Sequence, residues 1–496
     1  MVKEILTKKP FTRPQPAAKN TPTINIVENT FVPHSDLTYD MVSQSDFLRE
    51  YYPSGHRINS PFWYRDRLKY DEKNKRFVEE KVQRVSLPIQ QIIVTQQLIH
   101  MLGNETNMEL SAAHINKEQK NVLLEVKRGW YDKNLDTKIY EAVKAAKITG
   151  DAALLFFLNN GKLGIKPISF LSGDTLYPHY DIQGNMTTFA RSFDDINDEG
   201  VAVVNWVEVY DETFYYLYKQ TNTPIKKITT KIKELFGLDG YELVEKKRHG
   251  FNRVPVVYKR LDGPAWSAVQ DLIEKLELAV SYLCQNNMAY AFPIMVLKGE
   301  DVEIQGDIYG EVKAITMGRE DTAQYLERGN GTDSFRLQLE TLLKQIFLGS
   351  YIVQPPEVHS GDLPGVAVKL IYAPSLDKAI LDCKDFDQFI DDTLQLFLYG
   401  YGIEQQKLTT YLNAGIVAWL EPFVHQNTSE LVNNLVQLAN AHLISIDTAA
   451  NASPYSQNDE YDKIIRDLKE EQARDILADL NNSLNDNSTA TDQQED

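Results

Sequence analysis

An α+β fold is what the sequence predicts, and three observations predict it. Apolar residues recur at helical spacing over 47–104 and again over 264–402. Between them, residues 152–219 change to short runs of β-forming residues separated by turn signals. The strand block follows a helical block rather than alternating with it, which favours an antiparallel sheet beside helices over a parallel α/β wind.

Composition sets the outer limits. A chain of 496 residues has room for two to four packed units, and a 43% hydrophobic share is enough for a core. The 70 Asp and Glu against 52 Lys and Arg give a formal net charge of −18. Proteins that hold nucleic acid tightly through its phosphates are usually basic, because counterion release supplies most of the affinity. The composition therefore argues against a tight DNA grip. Cys284 and Cys383 are far apart, with neither a CxxC nor clustered histidines, which fits a reducing compartment and offers no metal site. No apolar run approaches the ~18 residues that span a bilayer, and the basic N-terminus lacks a hydrophobic stretch, so the expectation is a soluble protein made in the cytoplasm.

Residues 1–23 carry Lys3, Lys8, Lys9, Arg13 and Lys19 with four prolines and read as a flexible arm. Phe47–Tyr52 is helical and stopped by Pro53 and Gly55, Ile89–Leu102 is an apolar-striped helix ending at Gly103, and Ile139–Lys147 continues until Gly150. Ala152–Leu158, Leu163–Phe170, Met186–Phe193, Ala202–Tyr210 and Thr213–Lys219 read as strands joined by turns such as Asn159-Asn160-Gly161. Arg253–Lys259 adds a short strand.

Gly263-Pro264 opens the longest helical pattern. Trp266, Val269, Ile273, Leu276, Val280 and Leu283 follow a 3-4-3-4-3 spacing, a narrow seam that packs helix on helix. Carried through Phe292, this helix is about 40 Å long at 1.5 Å per residue. Short strands follow over Val312–Met317 and Ala323–Glu327 among glycines, and Phe335, Leu339, Leu342 and Ile346 mark a returning helix. A helix, a small insert and a helix back form a stalk with a tip. Residues 353–365, with three prolines and two glycines, form a loop. Leu376–Tyr401 is helical, apolar at Phe386, Phe389, Ile390, Leu394, Phe397 and Leu398, and acidic at Asp377, Asp382, Asp385, Asp387, Asp391 and Asp392. Further helices are expected over Leu408–Leu420, Ser429–His442 and Glu460–Leu480, before a polar, disordered tail.

The order of these segments and several of their words resemble the portal proteins of long-tailed phages. The words are Tyr51-Tyr52 with Gly55 and Ile58, Arg84-Val85, Ile89–Gly103, Ile148–Ala153 and Gly250–Val257. They continue with Ile294–Gly299, Gly365–Leu370, Leu443–Ala449 and the acidic stretch at Glu460-Tyr461-Asp462. The resemblance implies a ring, usually of twelve subunits, at one capsid vertex, in the virion and assembled in the host cytoplasm. On it, 1–23 is the arm, 24–258 the wing, 264–297 and 334–353 the stem helices, and 298–333 the clip. Residues 354–365 are the tunnel loop, 366–402 the tunnel helix and wing return, 403–480 the helical crown and 481–496 the tail. Implied partners are the terminase large subunit, the head-completion or adaptor protein, the major capsid and scaffolding proteins, and duplex DNA held without sequence preference.

Site residues follow from that frame. His359, Lys369, Asp377, Asp382, Asp385 and Asp392 line the channel, where carboxylates repel phosphate so that DNA slides. Glu303, Asp307 and Glu311 in the clip meet the motor, and Trp266, Val269, Ile273, Leu276 and Val280 pack subunit on subunit. The tunnel helix departs from its relatives in carrying acids where they often carry lysines.

No cofactor and no enzymatic activity are expected. A Walker A loop, GxxxxGK[ST], is missing; Gly361–Gly365 comes nearest and lacks the Lys-Ser/Thr pair, so a packaging motor must be another protein. Asp194, Asp195, Asp198 and Glu199 invite a divalent cation, although a polar loop between hairpins is the plainer reading. No Ser-His-Asp, HExxH or paired-acid spacing supports a nuclease or protease. A different structural virion protein, of capsid or tail, is the competing expectation.

Overall fold

The computed structural model describes residues 11–14, 39–71, 75–111, 117–196, 202–221, 236, 238, 240–289, 295–298, 303–305, 314–316, 322–325, 332–354, 365–424, 428–456, 460–461, 463–472 and 474. Two compact units divide the chain, one of residues 1–354 with 374–423, the other of 355–373 with 424–496.

The first unit opens with β1 (Phe11–Pro14) paired antiparallel to β2 (Tyr39–Val42), so part of the expected flexible arm is a strand. Helix α1 (Gln44–Tyr51) starts at a capping box in which Ser43 and Asp46 satisfy each other's backbone amides. After it come the hairpin β3 (Arg67–Asp71) and β4 (Arg76–Glu80), then α2 (Ile89–Leu102), β5 (Asn107–Leu110), α3 (Lys117–Asp132) and α4 (Leu135–Thr149). Gly150 ends α4 in the left-handed region at φ 84°, which glycine enters without a Cβ penalty.

Strands β6 (Asp151–Asn159), β7 (Lys162–Ile168), β8 (Thr175–Tyr180), β9 (Met186–Ile196), β10 (Ala202–Tyr210), β11 (Phe214–Gln220), β12 (Tyr241–Arg248) and β13 (Val256–Arg260) build two antiparallel sheets rather than one. β13-β6-β7 is three-stranded, and β12-β11-β10-β9-β8 is a five-stranded meander. The first six residues of β6 are all buried, and the two-residue period divides them between cores. Ala152, Leu154 and Phe156 join the large helical core with Ile139, Val143 and Phe397, whereas Ala153 and Leu155 join Leu176, Phe189 and Tyr210. Each of the leucine, isoleucine, valine and phenylalanine side chains contributes about 1.5–3 kcal/mol by leaving water.

Helix α5 (Gln270–Ala289) follows a hydrogen-bonded turn at 265–269, and α6 (Thr332–Ser350) returns against it. The pair is antiparallel, since Gly349 near the end of α6 lies beside Val269 at the start of α5. A Cβ at Gly349 would sit 2.7 Å from the Val269 methyl, so only glycine permits this approach. Between the helices, β14 (Met295–Lys298), β15 (Glu303–Gln305), β16 (Ala314–Thr316) and β17 (Thr322–Tyr325) pair as β14-β17 and β15-β16, one ribbon nested within the other. The expected tip therefore has more strand than the two segments read from sequence.

The second unit holds α7 (Gly365–Ile371). The 32-residue α8 (Ala373–Glu404) belongs almost wholly to the first unit and is followed by α9 (Leu408–Leu412) and β18 (Ile416–Trp419). β18 pairs with β5, so residues 408–420 are not one helix, and the stretch up to Phe423 belongs to the first unit. Ile416 and Val417 explain the change, since β-branched residues after the left-handed Gly415 suit a strand. The second unit continues with α10 (Thr428–Asn440) and α11 (Ile446–Ala452), and 463–472 are helical.

Candidate channel and docking surfaces

The acids of α8 do not share one environment. The helix turns Asp377, Leu381, Lys384, Gln388 and Asp391 to solvent at three- and four-residue intervals. Asp382 lies on the other side, 7% exposed, where its carboxylate takes the Lys147 ammonium at 2.7 Å and Lys378 at 2.7 Å. It is a core ion pair within one chain, and the expectation that it lines a channel is corrected on that ground. Burial pulls Lys147 below its usual range while Asp382 works against that shift. The neighbouring Cys383 thiol is pushed up to about 11, first by burial and then by Asp382, so it stays protonated at neutral pH.

Most remaining acids on α8 are charge-compensated. Asp385 receives Lys259 at 2.7 Å, Asp392 faces Arg253 at 3.4 Å, and Asp387 holds Lys384 at 2.8 Å. Burial and the nearby Asp392 together push the Tyr180 hydroxyl up to about 12. Among the described residues, Asp377 and Asp391 make no ion pair. The free negative charge of the helix is thus concentrated at two positions about four turns apart, not spread along the face. Ile380 and Leu381, 50% and 62% exposed, interrupt the same stripe.

The stem seam also has a different use. Trp266, Val269, Ile273 and Leu276 are at most 1% exposed and belong to the large core of a single chain, and Val280 packs against it half-buried. These residues fix the base of the stem in its own subunit and are not free to pack a neighbour, contrary to expectation. Trp266 shows the depth of the anchor: it donates its indole N–H to Glu50 at 2.9 Å and stacks on Tyr51. Farther out, Tyr282, Met288 and Leu337 are exposed, as is Leu348 on the outer side of α6.

An extended strap, residues 81–88, runs along α5 by a ladder that has no counterpart in the sequence reading. Leu87 N–H donates to Glu277 at 2.7 Å, Val85 N–H to Ser281 at 2.9 Å and Gln83 N–H to Gln285 at 2.9 Å. Every second residue of the strap meets every fourth residue of the helix. Glu277, 1% exposed, also accepts from His56 Nδ1 at 2.6 Å.

The other expected site residues fall as follows. Lys369 is exposed on α7 and Asp377 on α8. Glu303 stands in β15, while Asp307, Glu311 and His359 lie outside the described residues. Asp194 accepts the Asn205 amide across the β9–β10 pair at 2.7 Å, and Asp198 and Glu199 lie outside the described residues. Among those described, no three His, Cys, Asp or Glu side chains gather as a metal site. A further buried polar cluster joins the sheet: Arg191 bridges Glu208 at 2.6 Å and Asp174 at 3.0 Å, with the Tyr210 hydroxyl also on Glu208. Burial works against the Arg191 charge, but the two carboxylates outweigh it and hold the guanidinium more firmly protonated than usual.

Two antiparallel sheets, an antiparallel helix pair anchored in the core and nested β ribbons between those helices make up the mixed α and β architecture. The chain belongs to the family described as phage portal protein, SPP1 Gp6-like, whose model matches residues 41–477. That membership makes it a phage portal protein and points to a structural role in the virion. A search of curated proteins finds no match. No described helix is long and apolar enough to cross a membrane.

Proposed function

We propose that the chain is the repeating subunit of a closed ring, of the twelve copies its family resemblance implies, set at one capsid vertex as the passage for DNA entering and leaving the head. The observation that carries this reading is the stem: α5 and α6 are locked into the core at their base and grow more exposed toward the nested β ribbons, in a chain of the portal family. Closure by rotation needs heterologous contacts between neighbours, and the outward Tyr282, Met288, Leu337 and Leu348 supply them. Asp377 and Asp391, lacking ion pairs among the described residues, are the positions of α8 that repel phosphate, within the ~8 Å over which charge acts in physiological salt. Lys369 and His359 touch the duplex backbone as it passes. The tip, with Glu303, Asp307 and Glu311, docks the terminase large subunit during filling and the head-completion or adaptor protein afterwards, while capsid and scaffolding proteins hold the wing.

Negative-stain imaging of the purified protein tests this directly. Rings with a central hole wide enough for a duplex are expected; a monomer, sheet or tube under every condition would overturn the reading. In those rings, substituting Glu303, Asp307 and Glu311 together weakens motor binding and leaves the ring intact.

A further inference from the structure

Among the described residues the β3–β4 hairpin is a two-stranded ribbon, and such ribbons are marginal in water unless a face is covered. Its register pairs Leu68 with Glu79 and Tyr70 with Phe77, which sets Leu68 and Phe77 on one face, 67% and 68% exposed. Just before it, Phe62 and Trp63 are 74% and 63% exposed and pack edge to face on each other. Four large apolar side chains exposed within sixteen residues of sequence mark this segment as a candidate interaction site. The hairpin is not loosely hung: Arg84 reaches Asp66 at 2.8 Å, Val82 N–H donates to Asp66 at 3.0 Å, and the strap ladder ties the next residues to α5.

Charge identifies the occupant. Residues 65–84 hold eight Lys and Arg against five Asp and Glu in a chain of net charge −18, so the rest of the chain is more acidic still. Arg65 and Lys75 are exposed at either end of β3 and the turn, and Arg67 and Arg76 are exposed on the ribbon face opposite Leu68 and Phe77. A basic, aromatic arm on an acidic body is complementary to another copy of that body, and complementary potentials steer and orient association.

We propose that the Phe62–Phe77 arm is an intersubunit clasp that lies on an acidic surface of the adjacent copy of this chain, its arginine face meeting the carboxylates and its Leu68–Phe77 face covered by the same neighbour. The clasp rests on the ring reading and adds to it a second contact, independent of the stem. Two measurements on the full chain test it. A photo-crosslinking residue, Phe77→p-benzoylphenylalanine, in a mixture of isotopically light and heavy protein should give light–heavy crosslinked peptides. Leu68→Glu with Phe77→Glu should raise the concentration for half-assembly at least tenfold by mass photometry, with the far-ultraviolet circular dichroism of the wild type. Crosslinks confined to one chain, or assembly of the double variant at the wild-type concentration, would overturn the clasp while leaving the ring standing. Duplex DNA crosslinked at position 77 in place of protein would overturn it equally. A wild type that never assembles removes both readings together.

Discussion

The Lys147 ammonium sits 2.7 Å from the Asp382 carboxylate, with 3% and 9% of the two side chains exposed, and the pair joins α4 to α8 across the core. Gln97 also accepts from Lys147, at 3.0 Å. Removing one partner of a buried pair leaves an uncompensated charge, which costs more than the intact pair contributes. Lys147→Met should therefore destabilise the protein by about 3 kcal/mol, the lower end of the usual range because Lys378 still faces Asp382. The double variant Lys147→Met/Asp382→Leu should lose less than the single. Denaturant unfolding reads both, and a double variant less stable than the single would refute the argument.

The strap ladder predicts graded effects along one helix. Ser281→Ala removes the partner of the Val85 N–H and should cost about 1 kcal/mol. Glu277→Ala strips partners from both Leu87 and His56 and should cost about 2–3 kcal/mol. Proteolysis within residues 81–88 should accelerate in the same order, and equal cleavage rates in the two variants would count against a ladder.

Glu125 carries a pH dependence. Hydrogen bonds from Lys407 and from the Tyr411 hydroxyl, both at 2.9 Å, hold its carboxyl below the ordinary 4.5. A carboxylate with a lowered folded pKa stabilises fully above its unfolded pKa and loses that contribution as pH falls through the folded value. Wild type should exceed Glu125→Gln in stability at pH 7, with the difference shrinking below about 4.5 and vanishing in stronger acid. Thermal melts across pH 2–7 check the sign.

Asp377 and Asp391 are the test of the sliding wall. Charge reversal at both, Asp377→Lys with Asp391→Lys, should convert weak DNA association into measurable binding. Each new phosphate contact should steepen the dependence of log affinity on log salt by about 0.9. Fluorescence anisotropy with a short duplex at several salt concentrations measures this; an unchanged slope would place neither residue against DNA.

Much of the fold was legible because its signals are local. The apolar stripe of Ile89–Leu102 is bounded by Pro88 and Gly103, which are the limits of α2, and Gly150 ends α4 as the sequence predicts. The β3–β4 hairpin lies inside a stretch whose apolar spacing is helical, although Asp71 to Asn74 is a turn signal between Leu68-Lys69-Tyr70 and Arg76-Phe77-Val78. The channel residues were harder for a physical reason. Spacing puts six aspartates on α8 but does not say which of them meet Lys147, Lys259 or Arg253, and those partners arrive from sequence distances of 126 to 235 residues. The seam at Trp266–Leu276 was a correct packing signal with the wrong partner, because periodicity reports that a face is covered and not by which chain.

Two different rulers meet where the strap lies on α5. Two extended residues advance about 6.6 Å and four helical residues about 6.0 Å, so each successive rung drifts by about 0.6 Å. Three rungs are within hydrogen-bond tolerance, and a fourth would overstretch it. The next helix position, Ala289, has no side-chain acceptor for a fourth rung, while the alternate Val82 N–H donates to Asp66 and Pro88 opens α2 at the other end. The vernier thereby fixes the length of the splint: it is long enough to hold the hairpin at a set angle to the stem, and short enough that the hairpin's motion is passed to only about two helical turns of it.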